Sequence, residues 1–93
     1  MKWVEMIQVR PRLQDRSKAQ QTLEQLAEEL GSISSLRGVR IWTQTDEFGD
    51  LAMILQWEND RQPVKTREGY LVAETMHTFG ALSHTVWNEK QGK

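Results

Sequence analysis

Apolar and polar positions alternate from the start of the chain, and "WVEMIQVR" predicts a strand over Trp3 to Arg10. Trp3, Ile7 and Val9 fall on one side of it, Val4 and Met6 on the other. Pro11 has no amide hydrogen to give a ladder, so it ends the strand or marks an edge. The period then lengthens. In "DRSKAQQTLEQLAEELG", Ala19, Leu23, Leu26, Ala27 and Leu30 recur at helical spacing and form one apolar stripe. Asp15 or Ser17 can cap this helix, Ser17-x-x-Gln20 resembles a capping box, and Gly31 suits a left-handed residue beyond its end. "SISSLRG" reads as a connector.

"VRIWTQ" (Val39 to Gln44) and "DLAMILQWE" (Asp50 to Glu58) predict two further strands, joined through "TDEFG" as a short hairpin turn. The run Leu51 to Leu55 is apolar at every position, as in a strand covered on both faces. After the loop "NDRQPVK", the stretch "TREGYLVAETMHTFG" predicts a second helix. Thr66 is its N-cap, Glu68 stands in its first turn, and Gly80 ends it. Val72, Ala73, Met76 and Phe79 make its inward stripe, and Gly69 weakens its first turn by about 1 kcal/mol relative to Ala. "ALSHTVWNE" predicts the fourth strand, and the tail "KQGK" is expected to fray.

The order β-α-β-β-α-β is the split βαβ or ferredoxin-like pattern, an α+β fold. It predicts a four-stranded antiparallel sheet in the order 4-1-3-2 with two helices on one face. The central strands are apolar on both sides, so the open face would be a large apolar patch, and such patches mark interfaces. We therefore expect a homodimer that buries it.

Composition narrows the picture. The 93 residues make one domain, 1–93. A chain this short buries only about 60–65% of its unfolded surface, which leaves a limited core for a partner to extend. The net charge of −1, with both signs spread along the chain, argues against nucleic-acid binding. The chain has no cysteine, which excludes disulfides, thiolate catalysis, Cys-ligated zinc and iron–sulfur clusters, and fits a cytoplasmic location. The polar N-terminus does not read as a signal peptide, and no apolar run approaches the roughly 20 residues of a membrane span.

The strand order, the two-faced central strands and the layout "VRIW…ILQWEND…EGYLVAETMHTFGALSHTVW" resemble the dimeric α+β-barrel superfamily, within it the antibiotic-biosynthesis-monooxygenase-like domains. The resemblance spans about Trp3 to Trp87. It implies a homodimer whose sheets close into a barrel, with a pocket in each subunit between sheet and helices. It also implies cofactor-free oxygenation or isomerisation of a small apolar or aromatic molecule. In the haem-degrading branch of that superfamily an Asn on the first strand, a Trp and a helical His form the site. Here Gln8 occupies the Asn region, and Trp57 and His77 lie twenty positions apart. The resemblance does not extend to that branch.

Several side chains are candidates for chemistry. Trp3, Trp57 and Trp87 should gather at one end of the sheet as an aromatic wall, or pack there with their N–H groups at the rim. Arg10, Arg12, Arg16 and Lys18 should gather at the opposite end with His77 and His84, as an anion site or as an ordinary solvated face. His77 and His84 are the candidate catalytic bases, since histidine titrates near neutrality. Trp57, Tyr70 and Phe79 are the candidate ligand-binding residues. Structural roles are the favoured readings throughout, and Asn59 and Asp60 read equally as turn formers. No HxH or HxxxH spacing points to a metal, and no cofactor is expected. The RNA-binding aromatic signature, a phosphate-binding glycine loop and a GxSxG nucleophile motif are all absent.

The resemblance, taken with these residues, implies a homodimeric α+β-barrel protein that binds a small apolar or aromatic molecule, as a cofactor-free monooxygenase or isomerase. The alternative is a non-catalytic dimeric regulatory, assembly or ligand-carrier module. A pocket of a few hundred Å³ with converging polar groups would separate the two.

Overall fold

A computed structural model describes residues 2–33, 35–46 and 49–90. The first strand, β1 (Lys2–Pro11), alternates strictly: Trp3, Glu5, Ile7, Val9 and Pro11 are buried, while Val4, Met6 and Gln8 are half-buried. The same pleat governs β3 (Leu51–Glu58), where Leu51, Met53, Leu55 and Trp57 point inward. With β2 (Leu36–Thr43) and β4 (Gly80–Asn88) these form one antiparallel sheet in the order β2-β3-β1-β4. That is the expected 4-1-3-2 order, read from the other edge. The helices α1 (Arg16–Leu30) and α2 (Arg67–Met76) bury Ala19, Leu23, Leu26 and Leu30, and Val72, Ala73 and Met76, against the inward face. Phe79, in a one-turn 3-10 segment after α2, completes the core.

Several local expectations give way to tertiary geometry. β2 begins at Leu36, three residues early, because a register shift between Leu36 and Gly38 lets Leu36 pair with Trp57. Gly31 is not left-handed: it continues the helix at φ −62°, its N–H reaching the carbonyls of Ala27 and Glu28. Asp15 holds the N-cap position of α1 without capping it, because its carboxylate takes the Arg12 Nε–H at 2.8 Å instead. Ser17 lies inside the helix. In the "TDEFG" turn, Glu47 and Phe48 lie outside the described residues, as does the tail from 91 to 93. Gly49 has φ +66°, which favours glycine, and the Arg16 guanidinium lies where its Cβ would be.

Asp50 fastens the start of β3 to β1. Its carboxylate is 8% exposed and accepts Arg10 Nε–H at 2.9 Å and Gln8 Nε2–H at 2.8 Å, while its carbonyl accepts the Gln44 N–H at 2.7 Å. The Arg10 hydrogen bond holds the Asp50 carboxyl below the ordinary value of 3.8, outweighing desolvation, and the Gln8 bond adds to it. A depressed folded-state pKa gives stability that is complete above the unfolded value and lost as pH falls through the folded one. Asp50→Asn should therefore cost about 1–3 kcal/mol at neutral pH. The gap to wild type, followed by urea unfolding, should hold steady down to about pH 5 and then narrow as acid protonates the wild-type carboxyl.

Candidate functional site

The inward face of β1 carries one acid among its apolar residues. Glu5 is fully buried, and four hydrogen bonds converge on its carboxyl. Trp57 Nε1–H donates from β3 to Oε1 at 2.9 Å, and the Thr66 hydroxyl donates to the same oxygen. The Thr66 backbone N–H donates to Oε2 at 2.9 Å, and His84 Nε2 from β4 lies 2.7 Å from Oε2. Glu5 and His84 share one proton position between them. In one tautomer Nε2–H donates to the carboxylate; in the other, Nε2 accepts from the carboxyl. The His84 side chain is 5% exposed, and its Nδ1 takes no hydrogen bond among the described residues. The edge-on ring of Tyr70 packs on it, with centroids 5.3 Å apart at 81°.

Local sequence explains why these groups meet. Thr66 caps α2, its hydroxyl accepting the Gly69 N–H at 3.0 Å while donating to Glu5. The first turn of α2 is thereby pulled onto the sheet. Gly69 permits the approach: a Cβ there would stand 1.9 Å from Glu5 Oε2 and 2.9 Å from His84 Nε2. The helical cost of this glycine is the condition for the contact.

A cleft of about 480 Å³ opens beside this cluster. Trp3, Trp57, Val64 and Thr66 wall it, and Asn59, Arg61, Lys65, Arg67 and Glu68 rim it. Trp3 and Trp57 are cross-strand partners whose rings stack at 5.7 Å, and Trp3 Nε1–H donates to Asn59 Oδ1 at 3.1 Å. Trp57 and Thr66 thus touch both the cleft and Glu5. A second cleft of about 410 Å³ flanks the same tryptophans from the open side, with Val4, Gln56 and Trp87 in its wall.

Trp57, Tyr70 and His84 are therefore brought together around Glu5. His77 is exposed and lies at the far end of α2, about 12 Å along the helix axis from Gly69. Phe79 is in the hydrophobic core. The three tryptophans do gather at one end of the sheet and all border the second cleft, but strand parity divides them: Trp87 lies across from Val4 and faces the open side, while Trp3 and Trp57 point inward. The basic set expected at the other end of the sheet does not form. His84 sits in mid-strand opposite Ile7, Arg10 binds Asp50, and Arg12 binds Asp15 and the Thr78 carbonyl. Glu5 went unrecognised in the sequence, although it shares the inward parity of Trp3, Ile7 and Val9, where an acid has to find partners. Among the described residues no cluster of three or more His, Asp or Glu could hold a metal, and no helix is long and apolar enough to cross a membrane.

No family model and no curated protein matches the sequence. Solved structures do. A Deinococcus radiodurans protein provisionally assigned as an antibiotic biosynthesis monooxygenase superposes with a TM-score of 0.74 at 8% identity, covering 98% of this chain and 95% of that one. A dimeric Bacteroides fragilis protein of unknown function and ferredoxin-like fold gives 0.67 at 10% identity, over 95% and 96%. SnoaB of Streptomyces nogalater, a cofactor-independent oxygenase, gives 0.54 at 12% identity, over 98% and 93%. The chain shares the ferredoxin-like fold of these proteins. In this ferredoxin-like fold the Glu5 cluster lies between the sheet and α2.

Two substitutions probe the cluster. Glu5→Gln replaces an acceptor by an NH₂ group and leaves at least one buried donor unmatched, so it should destabilise by about 1–3 kcal/mol. Gly69→Ala should also destabilise, although an exposed helical Gly→Ala change gains about 1 kcal/mol. Urea unfolding measures both, and a stabilised Gly69→Ala would contradict the close approach.

Proposed function

We propose that this chain is one subunit of a homodimer that holds a small aromatic molecule in the cleft beside Trp3 and Trp57 and oxygenates it without a cofactor. The observation that carries this reading is the continuous path from the cleft wall, through the Thr66 hydroxyl, to the Glu5–His84 pair. The cleft volume is in the usual range for small-molecule sites. SnoaB, similar in fold, supports the chemistry.

The chemistry asks the protein for a dry, shaped pocket and a base. An activated C–H of the ligand gives its proton to Thr66 Oγ1 as that hydroxyl passes its own to Glu5, with His84 taking up the charge. The ligand carbanion supplies electrons to dioxygen, the resulting peroxide anion takes the proton back from the Glu5–His84 pair to give a hydroperoxide, and loss of water leaves a carbonyl. CH₂ plus O₂ becomes C=O plus H₂O, which balances without an added reductant. The base here is the Glu5–His84 pair, and His77 has no part in it. The Trp3–Trp57 pair forms the aromatic wall, and Tyr70 shields the His84 ring.

A second reading has its own support. All four bonds to Glu5 are made inside the protein, as in a structural clamp that ties α2 to three strands. On that reading the chain is a non-catalytic dimeric carrier or assembly module. Oxygen uptake with anthrone, corrected for its spontaneous oxidation, decides between them. The oxygenase reading expects acceleration by wild type and a loss of about 100-fold in Thr66→Val and His84→Ala. Thr66→Ser and His77→Ala should retain the rate. Unchanged rates in Thr66→Val and His84→Ala would leave the clamp alone.

The dimer is read from the open face, where Val4, Met6, Ala52 and Ile54 are half-buried and Trp42 and Trp87 are 65% and 55% exposed. The dimeric Bacteroides fragilis protein supports it. Light scattering should give the mass of two chains for wild type and of one for Ile54→Asp, which places a charge in the middle of that face.

A further inference from the structure

The charges around the cleft differ from those elsewhere on the chain. Arg10, Arg12 and Arg37 each meet a carboxylate: Asp50, Asp15 and Glu58. Arg61, Lys65 and Arg67 all line the one cleft, and none makes an ion pair among the described residues. Among the described residues Glu68 is the single acid lining the cleft, so that lining carries an excess of two positive charges on a chain whose net charge is −1. Like charges held together without counter-ions repel one another, and an anion that enters relieves the repulsion. The first turn of α2 borders the same space and adds its partial positive charge.

We infer that the cleft takes an aromatic carboxylic acid: a flat ring system against the edges of Trp3 and Trp57, and a carboxylate among Arg61, Lys65 and Arg67. The inference rests on the reading of this cleft as the ligand site and names the ligand's charge. An arginine at either end of the short segment offers a bidentate partner for a planar carboxylate, and Lys65 between them adds a point charge. The acid group anchors the ligand at the rim and leaves its far side toward Thr66.

Calorimetric titration with 2-naphthoate and with neutral, similarly shaped 2-naphthamide tests this. Naphthoate should bind at least tenfold more tightly. The exposed triple variant Arg61→Ala/Lys65→Ala/Arg67→Ala should lose that preference and bind naphthamide as wild type does. Glu68→Gln should act the other way and tighten naphthoate severalfold. Equal binding of the two probes by wild type, or a preference that survives in the triple variant, would overturn the inference and leave the aromatic cleft standing. Failure of both probes to bind at millimolar concentration would overturn the inference and the cleft reading together.

Discussion

The carboxyl of Glu5 is the constraint on which the rest of the molecule turns. A carboxylate taken from water into an apolar interior without partners costs several kcal/mol, and removing a partner from a satisfied one costs nearly as much. Here the partners come from β3, from β4 and from the cap of α2, so one buried group ties together elements far apart in sequence. Three dependent features follow. Thr66 must sit where it caps the helix and reaches Oε1, α2 must begin close against the sheet, and residue 69 must lack a side chain. The apolar stripe of Val72, Ala73 and Met76 then packs from a helix whose first turn is already placed.

Polar groups elsewhere are arranged differently. Near the start of β3, Asp50, Arg10 and Gln8 satisfy one another, which locks strand register and leaves little charge to attract a ligand. At the opposite end of the sheet, the two stacked tryptophans make an apolar floor between two clefts, and Arg61, Lys65 and Arg67 make no ion pair among the described residues. The charges are paired at the Asp50 end of the sheet, and beside the tryptophan cleft an excess of cations remains among the described residues.

What the sequence discloses follows from the range of the forces involved. Strand and helix identity, strand order and the inward stripes come from local periodicity, and they appear in the structure within a few residues of their expected bounds. Gly31 and Asp15 were misjudged because a cap is a local preference that a nearby partner overrides; Arg12 is that partner for Asp15. Trp87 shares the sheet end of Trp3 and Trp57 as expected, but sharing an end does not mean sharing a face, and register decides the face. Tyr70, Trp57 and His84 were each visible as single residues. The carboxyl that unites them was not, because Glu5 meets its partners across 52, 61 and 79 positions of chain. An acid at an inward strand position is the signal that would have exposed it.

The two clefts bear on why such a chain would pair through its open face. Trp3 and Trp57 are nearly inaccessible, yet they border a cleft on each side of the sheet end. On the open side, Val4 and Trp87 continue the apolar surface into that cleft, so a partner that covers the face also covers the cleft. On the helix side, the rim is charged and the wall leads to Thr66 and Glu5. Pairing of the open faces would therefore dry one side of the tryptophan pair and leave the other as the entrance. The clamp at Glu5 holds the wall on the helix side, so the two clefts have the stacked tryptophans in common.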